Sequence, residues 1–227
     1  MRSILAIVVV LSACEEPHAV EVERAPTLPA AVDLVEHADE TGTRGVVILV
    51  PLRSFPKDLL DEIETTLERE LRVEVRRHAV EKLPRSAWYA PRRRYRADVL
   101  IDHLLGYVEG EPETTHVLGL TEVDISTTNG DIPDWGIFGL GYAPGQSAVV
   151  SSFRLKRNVK NREHFRFRVA NTALHEVGHT FGLQHCNEER CPMRDAEGSI
   201  ASTDESNGFL GPECQAELDE RAPIVKP

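Results

Sequence analysis

Residues 175–186 read His175-Glu176-Val177-Gly178-His179-Thr180-Phe181-Gly182-Leu183-Gln184-His185-Cys186. His175 and His179 stand four apart. On an α-helix that spacing stacks both imidazoles on one face, one turn above the other. Two nitrogens so placed reach one Zn²⁺ at ~2.0–2.1 Å. Glu176 points to the side of the pair, where it can reach a water on the metal without ligating the metal. Catalytic zinc takes three protein ligands and keeps one position open. Gly182 supplies the route to the third, because glycine readily adopts φ > 0, ends the helix and turns the chain back. His185 then returns toward the metal. A helix that merely carries histidines is the competing reading. Three histidines, one glutamate and one glycine at these fixed offsets argue against it.

Working outward, Arg162 to Phe181 reads as one long helix, with Phe165, Val169, Leu174, Val177 and Phe181 available to a core. Further upstream, Gly45 opens the apolar run Val46 to Val50, which suits a strand buried on both faces. Lys57 to Leu71 has apolar residues at Leu60, Ile63, Leu67 and Leu71, a helical spacing. Val73 to Val80 is a weaker strand. Tyr95 to Val108 reads as a second helix, with Ala97, Leu100, Ile101, Leu104, Leu105 and Val108 inward. His116 to Ile125 is a strand, residues 126–134 a turn-rich loop, Trp135 to Tyr142 a glycine-interrupted edge strand, and Gln146 to Leu155 another strand. The β-α-β-α-β order implies an α/β fold with parallel strands and right-handed crossovers. Residues 76–96 are basic with Trp88, Tyr89 and Tyr95 interleaved. A solvated loop is the favoured reading, and contact with anionic lipid or acidic substrates the other. His78, His103, His116 and His164 read as surface or satisfied core residues. Asp98 and Asp102 read as a solvated helix face.

Downstream, Cys186 follows the third histidine directly, then come Cys191, Met193 and Cys214. His-Glu-x-x-His-x-x-Gly-x-x-His is the metzincin signature. With its Cys-x-x-x-x-Cys-x-Met continuation it resembles the archaemetzincins. The resemblance implies a compact single α/β domain, with a mixed twisted sheet, an antiparallel edge strand over the cleft, an active-site helix and a Met-turn at Met193 beneath the metal. It implies zinc-dependent hydrolysis of peptide bonds, with His175, His179 and His185 holding the catalytic zinc and Glu176 as general base. An extended peptide substrate would add to the edge strand as a further strand. In that family a second zinc is held by four cysteines. Here Cys186, Cys191 and Cys214 are in register, but Gly211 stands where the third would be. A second zinc would need a water or another side chain as its fourth ligand, with Glu213 or Asp219 as candidates. A disulfide, Cys186–Cys191 or Cys191–Cys214, is the alternative, since exported proteins meet oxidants.

The N-terminus frames where this chemistry is expected. Ile4 to Leu11 is an apolar run too short to span a bilayer, and reads as the core of an export signal. Leu11-Ser12-Ala13-Cys14 resembles the lipobox of bacterial lipoproteins, which implies a signal peptide over 1–13 and a lipidated Cys14. A conventional cleaved signal with an incidental cysteine is the alternative. Residues 14–44 read as a flexible tether, and 45–227 as the domain. The expectation is an envelope lipoprotein on a membrane, with Glu15 compatible with the outer membrane of a Gram-negative cell. A monomer acting on peptide or protein is expected. The 227 residues carry a net charge of −11, which argues against a general nucleic-acid binder. A zinc-holding surface lipoprotein that binds peptides or envelope partners without cutting them is the alternative function.

Overall fold

The computed structural model of the chain describes residues 42–195 and 199–225. The expected signal peptide, Cys14 and most of the tether lie outside the described residues. Thr43 and Arg44, expected in the tether, belong to the domain. Thr43 bridges to Val225, and the buried Arg44 guanidinium pairs with Asp219.

The apolar run forms β1 (Val46–Pro51). Its exit leads into α1 (Lys57–Leu71), which buries Leu59, Ile63, Leu67 and Leu71. Leu59 therefore takes the inward position expected of Leu60. Arg72 closes the helix in the left-handed region at φ 53°, and β2 (Glu74–Arg77) returns parallel to β1. Two short strands follow, β3 (Trp88–Tyr89) and β4 (Arg94–Arg96), then α2 (Ala97–Leu104). The helix tightens into a 3₁₀ turn at Leu105–Tyr107, which leaves Leu105 exposed rather than inward. β5 (Thr115–Thr121) is buried at every position.

The strand expected over Gln146 to Leu155 ends early, and Ser152–Leu155 form a helical turn instead. Larger features also depart from the sequence reading. Residues 126–134 are not a loop. β6 (Ile125–Asn129) and β7 (Ile132–Ile137) form an antiparallel hairpin in which Asn129 faces Ile132. The apolar segment expected to follow divides between β7 and the short β8 (Gly139–Gly141). The basic segment 76–96 is likewise not a free loop. β3 and β4 join β6 and β7 in a small sheet of order β3-β4-β6-β7. Arg94 sits between Asp124 and Asp134, and Arg77 pairs with Asp61 and Glu64.

The main sheet is completed by β9 (Ser147–Ser151). Its order is β2-β1-β5-β9-β8, parallel throughout except for β8, which runs antiparallel at one edge. After the short α3 (Ser152–Leu155) comes α4 (Arg162–Thr180), then α5 (Ala201–Glu205) and α6 (Pro212–Arg221). Alternate strand residues feed two cores. Val47, Leu49, Leu118, Leu120 and Val150 pack under α1 and α4 on one face, and Val50, Val117 and Val149 under α2 on the other. Each fully buried leucine or valine contributes ~1.5–3 kcal/mol relative to exposure. That packing fixes α4 across the sheet, next to edge strand β8.

Candidate active site

α4 starts on an Asn161 cap, whose side-chain oxygen accepts the His164 N–H at 2.8 Å. It ends at Gly182, held at φ 93°. There the Gly182 N–H donates to the His179 carbonyl at 2.9 Å and the Leu183 N–H to the Gly178 carbonyl at 3.1 Å. This is a Schellman termination. It reverses the chain and brings His185 back to the helix, with ring centroids 5.2 Å from His175 and 4.9 Å from His179.

The ring nitrogens show what the three histidines are arranged for. His175 Nδ1 lies 2.8 Å from the Pro192 carbonyl oxygen, and His179 Nδ1 lies 2.8 Å from that of Leu183. A carbonyl oxygen only accepts, so both protons sit on Nδ1 and each Nε2 presents a lone pair. The two Nε2 atoms stand 3.1 Å apart. Protonation does not relieve this, because burial, then the neighbouring imidazoles, hold His175 down at about 3, and burial lowers His179. Two facing lone pairs at that distance call for a cation between them. Nitrogens ~2.0–2.1 Å from a tetrahedral zinc are about 3.4 Å apart, so the pair fits that ion. His185 is half exposed, with Nδ1 3.5 Å from Asp195 Oδ2. One ligand atom from each of the three histidines lies within 4.8 Å of the others.

Glu176 is buried beside this cluster, and burial pushes its carboxyl up to about 8. A positive charge at the imidazoles would draw it back down. The side chain lies against β8. A Cβ on Gly139 would meet Glu176 Cγ at 2.5 Å and Oε1 at 2.6 Å. Under the helix, Met193 is fully buried, and a Cβ on Gly178 would come 2.7 Å from its sulfur. The site opens into a cleft of about 300 Å³, walled by Trp135–Gly139 on one side and by Pro192, Arg194 and Asp195 on the other.

A second cluster lies behind His185. Cys186, Cys191 and Cys214 are free thiols, and the Cys191 and Cys214 sulfurs are 3.7 Å apart. The Glu188 carboxylate joins them, all four ligand atoms lying within 4.8 Å. Sequence reasoning missed Glu188. Its signal is its place inside the Cys186–Cys191 loop. Asp219, considered as a donor, is instead paired with Arg44. The remaining described histidines, His78, His103, His116 and His164, lie outside both clusters. His164 Nε2 contacts Asp204 at 2.8 Å, and His116 stacks on Phe181 with centroids 4.0 Å apart.

Comparison with known proteins places this arrangement in context. Residues 48–220 match the model of peptidase family M54. The archaemetzincin of Pyrococcus furiosus is 28% identical over 186 residues, covering 78% of this chain and 94% of that protein. The crystal structure of the archaemetzincin from Methanopyrus kandleri superposes with a TM-score of 0.66 at 30% identity, covering 83% of this chain and 98% of that one. That from Archaeoglobus fulgidus gives 0.63 at 27% identity, covering 76% and 99%.

Proposed function

This chain belongs to peptidase family M54 and is a zinc metallopeptidase, and from that premise we propose that Glu176 carries the proton transfers of peptide-bond hydrolysis at a zinc held by His175, His179 and His185. The observation that carries this is the convergence of three imidazoles, two with their lone pairs facing, beside a buried carboxylate. Zinc there supplies Lewis acidity, easing loss of a proton from water and polarising a carbonyl. The chain's residues do the rest. The Pro192 and Leu183 carbonyls fix the tautomers of His175 and His179, as outer partners of metal-binding histidines do. A Glu176 carboxylate oxygen takes the proton of the attacking water and later delivers it to the leaving amine. β8 ends the main sheet. A substrate strand laid along its outer edge would pass Gly139, next to Glu176.

Metal removal tests the reading. Chelator-treated protein is expected to cut nothing in a mixed peptide library, and stoichiometric zinc to restore cleavage. A zinc-loaded protein that cuts no peptide at all would transfer the chain to the peptide-binding alternative.

We also propose that the chain works at a membrane, as an exported lipoprotein anchored through Cys14. The support is the apolar run Ile4 to Leu11 followed by Leu11-Ser12-Ala13-Cys14. No helix among the described residues is long and apolar enough to cross a bilayer. Two or more acyl chains would hold the protein stably where one would not. Cys14→Ser is expected to move the protein from the membrane fraction to the soluble one. Unchanged partitioning would remove the anchor.

A further inference from the structure

The archaemetzincins hold a second zinc on four cysteines, of which this chain keeps three; we propose that the Glu188 carboxylate takes the place of the missing one, so that Cys186, Cys191, Cys214 and Glu188 together hold that ion. This goes beyond the peptidase reading and does not depend on it.

The sulfur geometry is the first observation. Cys191 and Cys214 Sγ are 3.7 Å apart. A disulfide brings sulfurs to ~2.05 Å. Two thiolates ~2.3 Å from one tetrahedral zinc lie about 3.8 Å apart. Cys191 and Cys214 are both buried, on chain segments far apart in sequence, and Cys186 completes the trio from the start of the loop.

The second observation is at Gly211. Its backbone, at φ −69° and ψ 160°, is ordinary extended chain that any residue adopts. Glycine is not needed there for conformation. It is needed for room, because a Cβ at 211 would overlap Glu188 Oε2 and lie 2.5 Å from Cδ and 2.6 Å from Oε1. The absent side chain leaves space for the carboxylate to reach the sulfurs. Backbone N–H groups also hold it there, Glu213 N–H donating to Oε1 at 3.2 Å and Cys214 N–H to Oε2 at 3.4 Å. A carboxylate has about four lone-pair sites, so these bonds leave capacity for a metal. The Gly211 N–H donates to Cys191 Sγ at 3.3 Å, which helps to hold that sulfur in place. Three sulfurs and one carboxylate gathered within 4.8 Å are a four-donor set for one metal, and the sulfur donors, which lose their protons on binding, select zinc over the hard cations.

Such a metal would tie the 186–191 loop to α6. That loop runs directly into Pro192, whose carbonyl orients His175, and Met193, which packs under Gly178. The site would therefore steady the floor of the catalytic cleft from behind.

The competing account makes Glu188 only a cap for the first turn of α6. The test uses the full chain, purified reduced, with zinc counted per chain and the protein then reloaded with cobalt(II). Only a site with sulfur ligands gives thiolate-to-cobalt charge-transfer absorption, so this signal reports the second site and not the three histidines. Wild type is expected to hold two zinc ions and show that absorption. Glu188→Gln keeps an oxygen for the α6 N–H groups but loses the charge. It is expected to weaken cobalt retention against a chelator by ~10-fold or more, with the histidine site still loaded. Glu188→Ala is expected to weaken it further, and Glu188→Ala with Gly211→Cys, which returns a donor to the same space, to recover it. Wild type without thiolate-to-cobalt absorption would overturn the site. Retention in Glu188→Gln equal to wild type would overturn Glu188 as ligand and leave it a helix cap.

Discussion

Gly139 shows how closely the chemistry depends on single residues. A methyl group there would fall 2.5 Å from Glu176 Cγ. That atom is near the helix backbone and cannot swing away as a side-chain tip can. Gly139→Ala is therefore expected to displace the carboxylate and lower kcat by ~100-fold, the scale of an ångström-sized misplacement, with zinc content and circular dichroism unchanged. A wild-type kcat in that variant would show that β8 does not position Glu176. At this scale the sequence was informative wherever a helix sets the spacing. His175, Glu176 and His179 follow from helical periodicity, and His185 from a glycine at the helix end. Glu188 was hidden because its role depends on a side chain missing at Gly211, far along the chain. No spacing rule links those two positions.

Among the elements, the junction of β5 with the end of α4 holds a pH response. His116 on β5 is buried and stacked on Phe181, and its Nδ1 has no hydrogen-bond partner among the described residues. Burial lowers its pKa to about 4, against a smaller opposing effect of its hydrogen bond to the Gly145 backbone. Arg44, Glu113 and Arg221 line the cavity beside it. The folded pKa lies below the unfolded value of ~6.5, so the unfolded chain takes up the proton first as pH falls. The neutral ring's contribution is complete above pH ~6.5 and is lost between there and about 4. His116→Phe is expected to flatten that part of the stability curve by about 2–3 kcal/mol in urea titrations at pH 7 and pH 4.5. Parallel pH curves for the two proteins would contradict this. Strong elements such as β1, α1 and α4 were legible because apolar period and length agree. The β6–β7 hairpin was not, because Ser126-Thr127-Thr128 look like loop residues. Its two-residue turn Gly130-Asp131, with Gly130 at φ 55°, was the available signal. The arginines of 76–96 gave no sign that Asp124 and Asp134 would neutralise them from another part of the chain.

For the whole molecule, the order of strands and helices already required a parallel α/β sheet, while closure of the domain was invisible in the sequence. Thr43 pairs with Val225 in both directions, at 3.3 and 3.0 Å, and buried Arg44 reaches Asp219 and the Ala222 carbonyl. Neither residue belongs to an apolar pattern, so the domain began earlier than composition indicated. Among the described residues, His175 and His185, a buried carboxylate and an edge strand meet in a single cleft. The central claim is that this cleft hydrolyses peptide bonds through Glu176. Its most direct test is peptide hydrolysis by wild type and Glu176→Gln, each with histidine-site zinc measured and matched. The account predicts cleavage by wild type and a rate at least ~10²-fold lower in the variant with its zinc retained. Cleavage by Glu176→Gln at the wild-type rate would contradict it.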